Sequence, residues 1–235
     1  MDCSAVGGTG PRPDAGRRGA TMVDGDAAVV SAGTGRGEDS GFPDPRRVLV
    51  VSATASEAAH LPGSVETLIC GIGKVDAAAA TTAAILRAVE RTGADGPGDI
   101  TVVNVGTAGA LHDGHSGLYL PSAVTNHDIS SEALRALGYP LVDRIALPEG
   151  DGSVLATGDM FVSDPAVRTR LAQDADLVDM EGFAVARACT LLGTPVRLVK
   201  YVSDDADESA MDWLDRVDHC ARELGAWVAG RLGAG

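Results

Sequence analysis

The chain has 235 residues, of which 33 are acidic and 19 are basic, so that its net charge is −14. This length fits a single α/β domain, and the excess negative charge repels nucleic-acid phosphates and anionic lipids, which excludes nucleic acid and membranes as partners. No apolar run is long enough for a transmembrane helix and the N-terminus has no signal-peptide pattern, so we expect a soluble, cytoplasmic protein.

Residues 1–45 are rich in Gly, Asp, Arg, Ser and Ala. Such a composition buries too little apolar surface to offset the entropy lost on ordering. It therefore predicts a disordered N-terminal extension followed by a catalytic domain over residues 46–235. The cysteines and histidines lie scattered, without the spacing of a metal site or a redox pair, so we expect buried free thiols, no metal and no cofactor.

Short β-branched runs alternate with longer Ala- and Leu-rich segments, a pattern typical of an α/β fold with a mixed, largely parallel central sheet flanked by helices. The predicted strands are residues 48–51, 65–70, 100–105, 118–124 and 196–202. Apolar residues at helical spacing predict two helices. They are Val75, Ala79, Thr82, Leu86 and Val89 in the first, and Met211, Leu214, Ala221, Leu224 and Val228 in the second.

Ligands of such folds bind beyond the carboxyl ends of strands. After the first strand, Glu57 falls where a helix is expected to begin, and there it could simply complement the helix dipole. After the second, Gly71 and Gly73 permit a tight turn close to a ligand. After the third, residues 104–109 are expected to form a glycine turn that presents the Thr107 hydroxyl and backbone N–H groups to a ligand.

Three later positions each have a functional and a structural interpretation. Phe161 precedes a predicted helix start at Pro165, and it is either a face for stacking or a core contact. Glu181 stands among apolar neighbours, where a buried carboxylate needs partners such as sugar hydroxyls. Asp204 ends an apolar strand, and it is either a displayed catalytic group or a helix N-cap.

In this order the motifs resemble the nucleoside phosphorylase and nucleosidase superfamily, and most closely the methylthioadenosine/S-adenosylhomocysteine nucleosidases. Each motif alone is weak evidence, whereas the whole set in the family's order is specific. The matching pieces are Glu57 and Ser203 with Asp204, together with the residues of 71–74, 104–109, 158–162 and 180–181.

The resemblance implies hydrolysis of the N-glycosidic bond of a purine-type nucleoside. It implies that Asp204 protonates N7 of the base, that Glu57 activates the attacking water, and that Glu181 accepts the 2′ and 3′ hydroxyls of the ribose. The charges agree with these roles, because cleavage develops positive charge on the sugar and needs an acid on the base. The other implied substrate contacts are Met180, Phe161, Val162, Gly73, Thr107, Ala108, Gly109 and Ser203.

Water is favoured over phosphate as the nucleophile. Phosphorylases hold the phosphate dianion with arginine, and the resemblance puts that arginine just before the glycine turn after the third strand. Here Asn104 and Val105 precede Gly106, and no arginine lies between Val51 and Glu57. A phosphate-dependent purine nucleoside phosphorylase is kept as an alternative.

The chain departs from the nucleosidase pattern in two places that bear on the 5′ group of the substrate. The connection over residues 125–154 is short, and Gly182 and Phe183 stand where the family usually has a small Ala/Thr pair. Futalosine hydrolase is therefore an alternative, and a noncatalytic nucleoside-binding module is a less favoured one. The resemblance also implies a homodimer or a higher homo-oligomer.

Overall fold

A computed structural model describes residues 44–207 and 213–232, with side chains from Arg216 onward in the last helix. These residues belong to one compact unit that spans residues 34–235. Except for residues 44 and 45, the extension predicted over residues 1–45 lies outside the described residues. So do Met211 and the side chain of Leu214, both predicted to face the core from the last helix.

The described residues form one sheet and the helices that cover it. The strands are β1 (Val48–Ser52), β2 (Glu66–Ile69), β3 (Thr101–Ala110), β4 (Leu118–Tyr119), β5 (Ala123–Asn126), β6 (Arg144–Ala146), β7 (Val154–Thr157), β8 (Leu177–Asp179) and β9 (Val196–Asp204). The helices are α1 (Lys74–Thr92), α2 (Ser131–Ala136), α3 (Pro165–Leu171), α4 (Gly182–Leu192) and α5 (Trp213–Leu232).

The sheet has the order β2-β1-β3-β8-β7-β5-β6, and β9 pairs with β3 and carries β4. The pairs β1 with β2, β1 with β3, β3 with β9, β5 with β7 and β7 with β8 are parallel. The short β8 runs antiparallel to the end of β3, where Val178 pairs with Gly109. The predicted α/β class with a mixed, largely parallel sheet is therefore confirmed.

The central strands are buried on both faces, which explains their unbroken apolar sequences. In β1, Leu49 and Val51 pack in one cluster with residues of α1 and α4. Val48 and Val50 point the other way and pack against Leu224 and other residues of α5. The sheet thus lies between two helical layers, and its carboxyl ends stay open for a ligand.

Two predicted strands were wrong in extent. β3 continues through residues 104–109, so the glycine turn predicted there is a strand. Glycine allows neighbouring residues to pack closely against this strand, because a Cβ at Gly109 would lie 2.9 Å from the Cβ of Ala206. The predicted strand 118–124 is divided into β4 and β5, and Pro121 between them lacks the N–H that a continuous ladder requires.

The helices predicted over α1, α3 and α5 exist, whereas the helix expected to begin at Glu57 does not. No helix follows β1, since residues 55–60 form turns, so Glu57 has no helix dipole to complement. In α1 the predicted apolar face is wrong, because Val75 is 79% exposed and the buried residues include Ala77, Ala84 and Ala88. Small side chains on that face let α1 pack closely on α4.

Other local predictions are confirmed. The side chain of Asp164 accepts a hydrogen bond from the Ala166 N–H, and Pro165 begins α3 as predicted. Cys70, Cys189 and Cys220 are buried free thiols, whereas Cys3 lies outside the described residues. Among the helices of the described ranges, none combines the length and the apolar character needed to cross a membrane.

Replacing Gly225 with alanine is expected to loosen α5 from the sheet. A Cβ at this position would clash with the backbone carbonyl of His60, and overpacking of this kind costs about 1–3 kcal/mol. Thermal unfolding of Gly225→Ala should show a melting temperature lower by about 3–10 °C.

The matched control is Gly230→Ala in the same helix, where nothing lies within 4 Å of the added Cβ. Alanine is the better helix former by about 1 kcal/mol, so this variant should keep or raise the melting temperature. Equal effects of the two substitutions would contradict the proposed packing of α5.

Candidate active site

A cleft of about 160 Å³ opens where the ends of β1, β3, β8 and β9 meet. The antiparallel β8 is responsible for the meeting, because it starts opposite Ala110 at the end of β3 and runs back along β3 toward Thr107. The lining residues are Ala53, Thr54, Glu57, Ile72, Thr107, Ala108, Gly109, Met160, Phe161, Val162, Val178, Asp179, Met180, Glu181, Ser203 and Asp204.

Glu57 is buried and held through both carboxylate oxygens. Its Oε1 accepts hydrogen bonds from the Thr107 backbone N–H and hydroxyl, each at 2.8 Å. Its Oε2 accepts from the Thr54 backbone N–H at 3.2 Å and from the Thr54 hydroxyl at 3.0 Å. Donors on both sides fix the direction of this carboxyl group in the cleft.

Asp179 caps α4, which leaves Glu181 to the cleft. Asp179 Oδ2 accepts the Gly182 N–H at 2.8 Å, and its Oδ1 accepts the Thr157 hydroxyl at 2.5 Å. Glu181 occupies the N-cap position of α4 but makes no side-chain capping bond. Its Oε1 instead accepts the Gly73 N–H at 2.8 Å, so Glu181 is directed toward the loop after β2.

Lys200 lies behind the cleft and is only 1% exposed. Its Nζ is 2.8 Å from Asp179 Oδ2. Burial alone would lower the pKa of Lys200, but Asp179, Glu181 and Glu57 together outweigh it and raise the pKa above its ordinary value. Lys200 is therefore a permanent positive charge among three carboxylates, and a buried lysine of this kind requires such partners.

Gly106 makes room for this arrangement. It pairs with Lys200 across β3 and β9, and a Cβ there would lie 3.3 Å from both Lys200 Nζ and Glu57 Oε1. The position therefore favours the smallest residue. From the sequence, Gly106 was interpreted as part of a turn. In the structure it lies in β3, and the absence of a side chain leaves room for the Lys200 ammonium group beside the carboxylates.

The pKa of Glu181 is raised from 4.5 to about 7. Burial is the largest cause, followed by the negative charge of Asp179, while Lys200 and the Gly73 N–H act in the opposite direction. Glu181 thus exchanges its proton near neutral pH in the unliganded cleft. A carboxylate so poorly solvated gains strongly from hydroxyl donors of a ligand.

Asp204 is buried at the end of β9, on the opposite side of the cleft from Glu181. Its Oδ2 accepts the Ser203 hydroxyl at 2.6 Å and its Oδ1 accepts the Ala206 N–H at 2.9 Å. Residue 205 has no regular structure and residues 206 and 207 form bends, so Asp204 does not cap a helix here. The two bonds hold the carboxyl group at the wall of the cleft, next to Gly109.

The rim of the cleft is apolar. Phe161 is 49% exposed, which contradicts its interpretation as a core contact, and Met160 and Ile72 are exposed beside it. Val162 is buried below them and also packs against α3. An aromatic face and aliphatic side chains suit a flat heterocyclic base.

The predicted site residues therefore come together, with one difference. Gly73 is not part of the lining but contributes its N–H to Glu181, with a φ of 92° that favours glycine. Sequence reasoning missed Asp179, Lys200 and Thr54. A lysine in an apolar strand was a usable signal for Lys200, since an isolated buried ammonium is too costly to leave unpaired.

The departure at Gly182 and Phe183 does not reach the cleft. Phe183 is buried in the cluster beneath the sheet with Leu155 and Leu198. A Cβ at Gly182 would lie 2.7 Å from Leu155 Cδ2. The absence of a side chain at Gly182 therefore lets the large Phe183 pack in this cluster. This pair therefore says nothing about the 5′ group of a substrate. Within the described residues, no three His, Cys, Asp or Glu side chains are grouped to hold a metal ion.

Residues 63–230 match the family model described as the phosphorylase superfamily. A 5′-methylthioadenosine/S-adenosylhomocysteine nucleosidase of Bacillus pumilus is 30% identical over 169 residues, which are 60% of this chain and 68% of that protein. An aminodeoxyfutalosine nucleosidase of Helicobacter pylori is 38% identical over 85 residues, which are 34% of this chain and 36% of that protein.

Solved structures share the fold. A futalosine hydrolase mutant of Helicobacter pylori superposes with a TM-score of 0.66 at 22% identity, over 79% of this chain and 97% of that one. A 5′-methylthioadenosine/S-adenosylhomocysteine nucleosidase of Colwellia psychrerythraea in complex with adenine gives 0.65 at 23% identity, over 79% and 94%. At such identities the likeness concerns the fold.

Glu181→Gln is expected to change how stability depends on pH. Because the folded protein binds the Glu181 proton more tightly than the unfolded chain, this group stabilises the fold fully below pH 4.5 and loses that contribution as pH rises through about 7. The loss is on the order of 3 kcal/mol. Glutamine carries no charge, so the variant should gain stability over the wild type between pH 5 and pH 8.

Chemical denaturation of the unliganded proteins at pH 5 and at pH 8 measures this gain in the free energy of unfolding. Glu132→Gln on the exposed face of α2 is the control, and its difference from the wild type should not vary in the same way. Parallel pH profiles for the wild type and Glu181→Gln would contradict the assignment of the proton to Glu181.

Proposed function

The chain belongs to the phosphorylase superfamily, and from this membership and the cleft chemistry we infer that it is a nucleosidase, an N-glycosyl hydrolase. Its proposed substrate is a purine-type nucleoside such as 5′-methylthioadenosine or S-adenosylhomocysteine. The observation that carries the proposal is the placement of three buried carboxyl groups, Glu57, Glu181 and Asp204, around one cleft. The proposed catalytic domain is residues 46–235.

In the proposed reaction, two different carboxyl groups of the cleft act as the acid and the base. Asp204 donates its proton to N7 of the purine, so that the base leaves as a neutral molecule. Glu57 accepts a proton from the water that attacks C1′ of the ribose. The bonds from Thr107 and Thr54 hold Glu57 in one direction in the cleft, which suits a base that must act without reorienting.

Glu181 and Met180 bind the sugar between the acid and the base. One oxygen of Glu181 accepts the Gly73 N–H, and its carboxylate has the capacity to accept the ribose 2′ and 3′ hydroxyls as well. The anionic carboxylates also stabilise the positive charge that develops on the ring. Phe161 stacks on the base, and the backbone of Val162 reads its edge.

Water is the proposed nucleophile because the described cleft residues offer no cation for a phosphate. None of the lining side chains is arginine or lysine. Lys200 lies behind the lining and is already paired with Asp179. A phosphate dianion would therefore meet the carboxylates of Glu57 and Glu181 without compensation, which is strongly unfavourable at short range.

The 5′ substituent lies at the apolar rim in this proposal, which favours a thioether such as the methylthio group. A 6-amino-6-deoxyfutalosine is the second candidate, because the aminodeoxyfutalosine nucleosidase of Helicobacter pylori has the higher identity over its shorter match. The exposed Ile72, Met160 and Phe161 favour a homodimer in which a second copy covers the rim.

Asp204→Asn tests the acid. Asparagine keeps the shape but has no proton of suitable acidity, so the turnover number should fall by about 10²–10⁴-fold, while the affinity for adenine is retained. Asp205→Asn is the matched control, because the neighbouring Asp205 is exposed and should have near wild-type turnover. Equal losses of catalysis and binding in Asp204→Asn would contradict the acid role.

Product analysis tests the reaction itself. The protein should release free base and free sugar from 5′-methylthioadenosine, S-adenosylhomocysteine or 6-amino-6-deoxyfutalosine in phosphate-free buffer. Ranking these substrates by kcat/KM decides the 5′ group. Turnover that requires phosphate and yields a sugar 1-phosphate would contradict the proposed nucleophile, and release of base from none of them would contradict the proposed function.

A further inference from the structure

The loop after β2 lies where two sets of strands meet end to end. β1 and β8 both pair with β3 on the side away from β9, so the carboxyl ends of β2 and β7 face each other. Residues 71–74, which we call the strap, contact residues at or after the ends of β7 and β5. Their contacts there are polar and converge on one residue, Lys74.

Lys74 forms hydrogen bonds and ion pairs with two separate segments. Its backbone N–H donates to Asp159 Oδ1 at 2.7 Å, and its Nζ is 3.7 Å from Asp159 Oδ2. The same Nζ donates to Asn126 Oδ1 at 3.0 Å and to Asp128 Oδ1. Asp159 in turn donates its backbone N–H to Asp128 Oδ2 at 2.8 Å, so the three charged residues form a closed network.

The network is partly shielded from solvent. The Lys74 side chain is 19% exposed and that of Asp128 is 27% exposed. Partial burial acts to raise the pKa of Asp128, but the hydrogen bonds from Lys74 and from the Asp159 N–H outweigh it and leave the pKa below its ordinary value. Asp128 is thus ionised at neutral pH, and the attraction to Lys74 is screened less than on an open surface.

Both ends of the network adjoin the cleft. Gly73 directly precedes Lys74 and donates its N–H to Glu181 Oε1. A Cβ at Gly73 would lie 3.1 Å from Asp159 Oδ1, which shows how closely the strap lies on that loop. Asp159 directly precedes Met160 and Phe161 of the rim.

We propose that Lys74 is a positioning residue that fixes the strap, and through the Gly73 N–H the carboxylate of Glu181, against the loop that carries the base-stacking Phe161. The proposal rests on the proposed nucleoside hydrolysis for its kinetic consequence. Its structural part, the fixing of Gly73 over Glu181, holds whatever the ligand is.

Amide hydrogen exchange of the unliganded protein tests the structural part. Lys74→Met keeps the aliphatic stem and removes the charge, and exchange in the segment 71–74 should become at least about tenfold faster as the strap opens locally. The control is Arg197→Met. The Arg197 side chain is 21% exposed and pairs with Glu149 near the amino end of β9, away from the cleft. Exchange in the strap should be unchanged in this control.

Steady-state kinetics tests the consequence. Because Glu181 holds the ribose in substrate and transition state alike, Lys74→Met should raise KM about tenfold with a smaller change in kcat. In a Glu181→Gln background the same substitution should add little, since the two act through one contact.

Unchanged exchange in the strap, an equal change in Arg197→Met, or full additivity with Glu181→Gln would each overturn the proposal. If the wild-type protein cleaves no nucleoside, the proposed function fails, and the exchange measurement still decides whether Lys74 holds the strap.

Discussion

The arrangement of the cleft depends on one buried ammonium group. Glu57, Asp179 and Glu181 are each less than 9% exposed, and carboxylates so far from water repel one another and lose hydration. Lys200 offsets part of this cost through its ion pair with Asp179. Even so, one positive charge cannot neutralise three negative ones, and the raised pKa of Glu181 reports the remaining imbalance.

That imbalance suits the proposed chemistry. A sugar that gains positive charge in the transition state supplies the missing cation, and its hydroxyls supply the missing hydrogen-bond donors. The folded structure offsets the cost of burying the carboxylates in three ways. Gly106 leaves room for Lys200, Asp179 accepts the Gly182 N–H of α4, and Glu57 accepts hydrogen bonds from Thr107. Preorganisation of this kind means that little rearrangement is needed when the ligand binds.

The topology explains how distant segments supply these groups. β3 extends beyond β1, so its last residues stand above the β1 end that carries Glu57, and β9 follows β3 in parallel to place Asp204 beside Gly109. The reversal at β8 then brings Asp179 and Glu181 to the same point. The carboxyl end of β2 faces that of β7, which is why the strap after β2 contributes the Gly73 N–H to Glu181.

The sequence by itself predicted the fold class, the buried free thiols, the start of α3 and ten of the sixteen residues that line the cleft, through composition, local capping and motifs that resemble a known family. It predicted a turn over residues 104–109 because glycines are typical of turns, whereas in β3 these glycines make room for Lys200 and Asp204. It likewise predicted the wrong face for α1, because the alanines that pack on α4 carry little hydrophobic signal. Only the tertiary structure gives Asp179, Lys200 and Lys74 their roles. Lys200 could be noticed in the sequence as a lysine within an apolar strand, but its partners could not be identified, because an ion pair forms between segments that folding brings together.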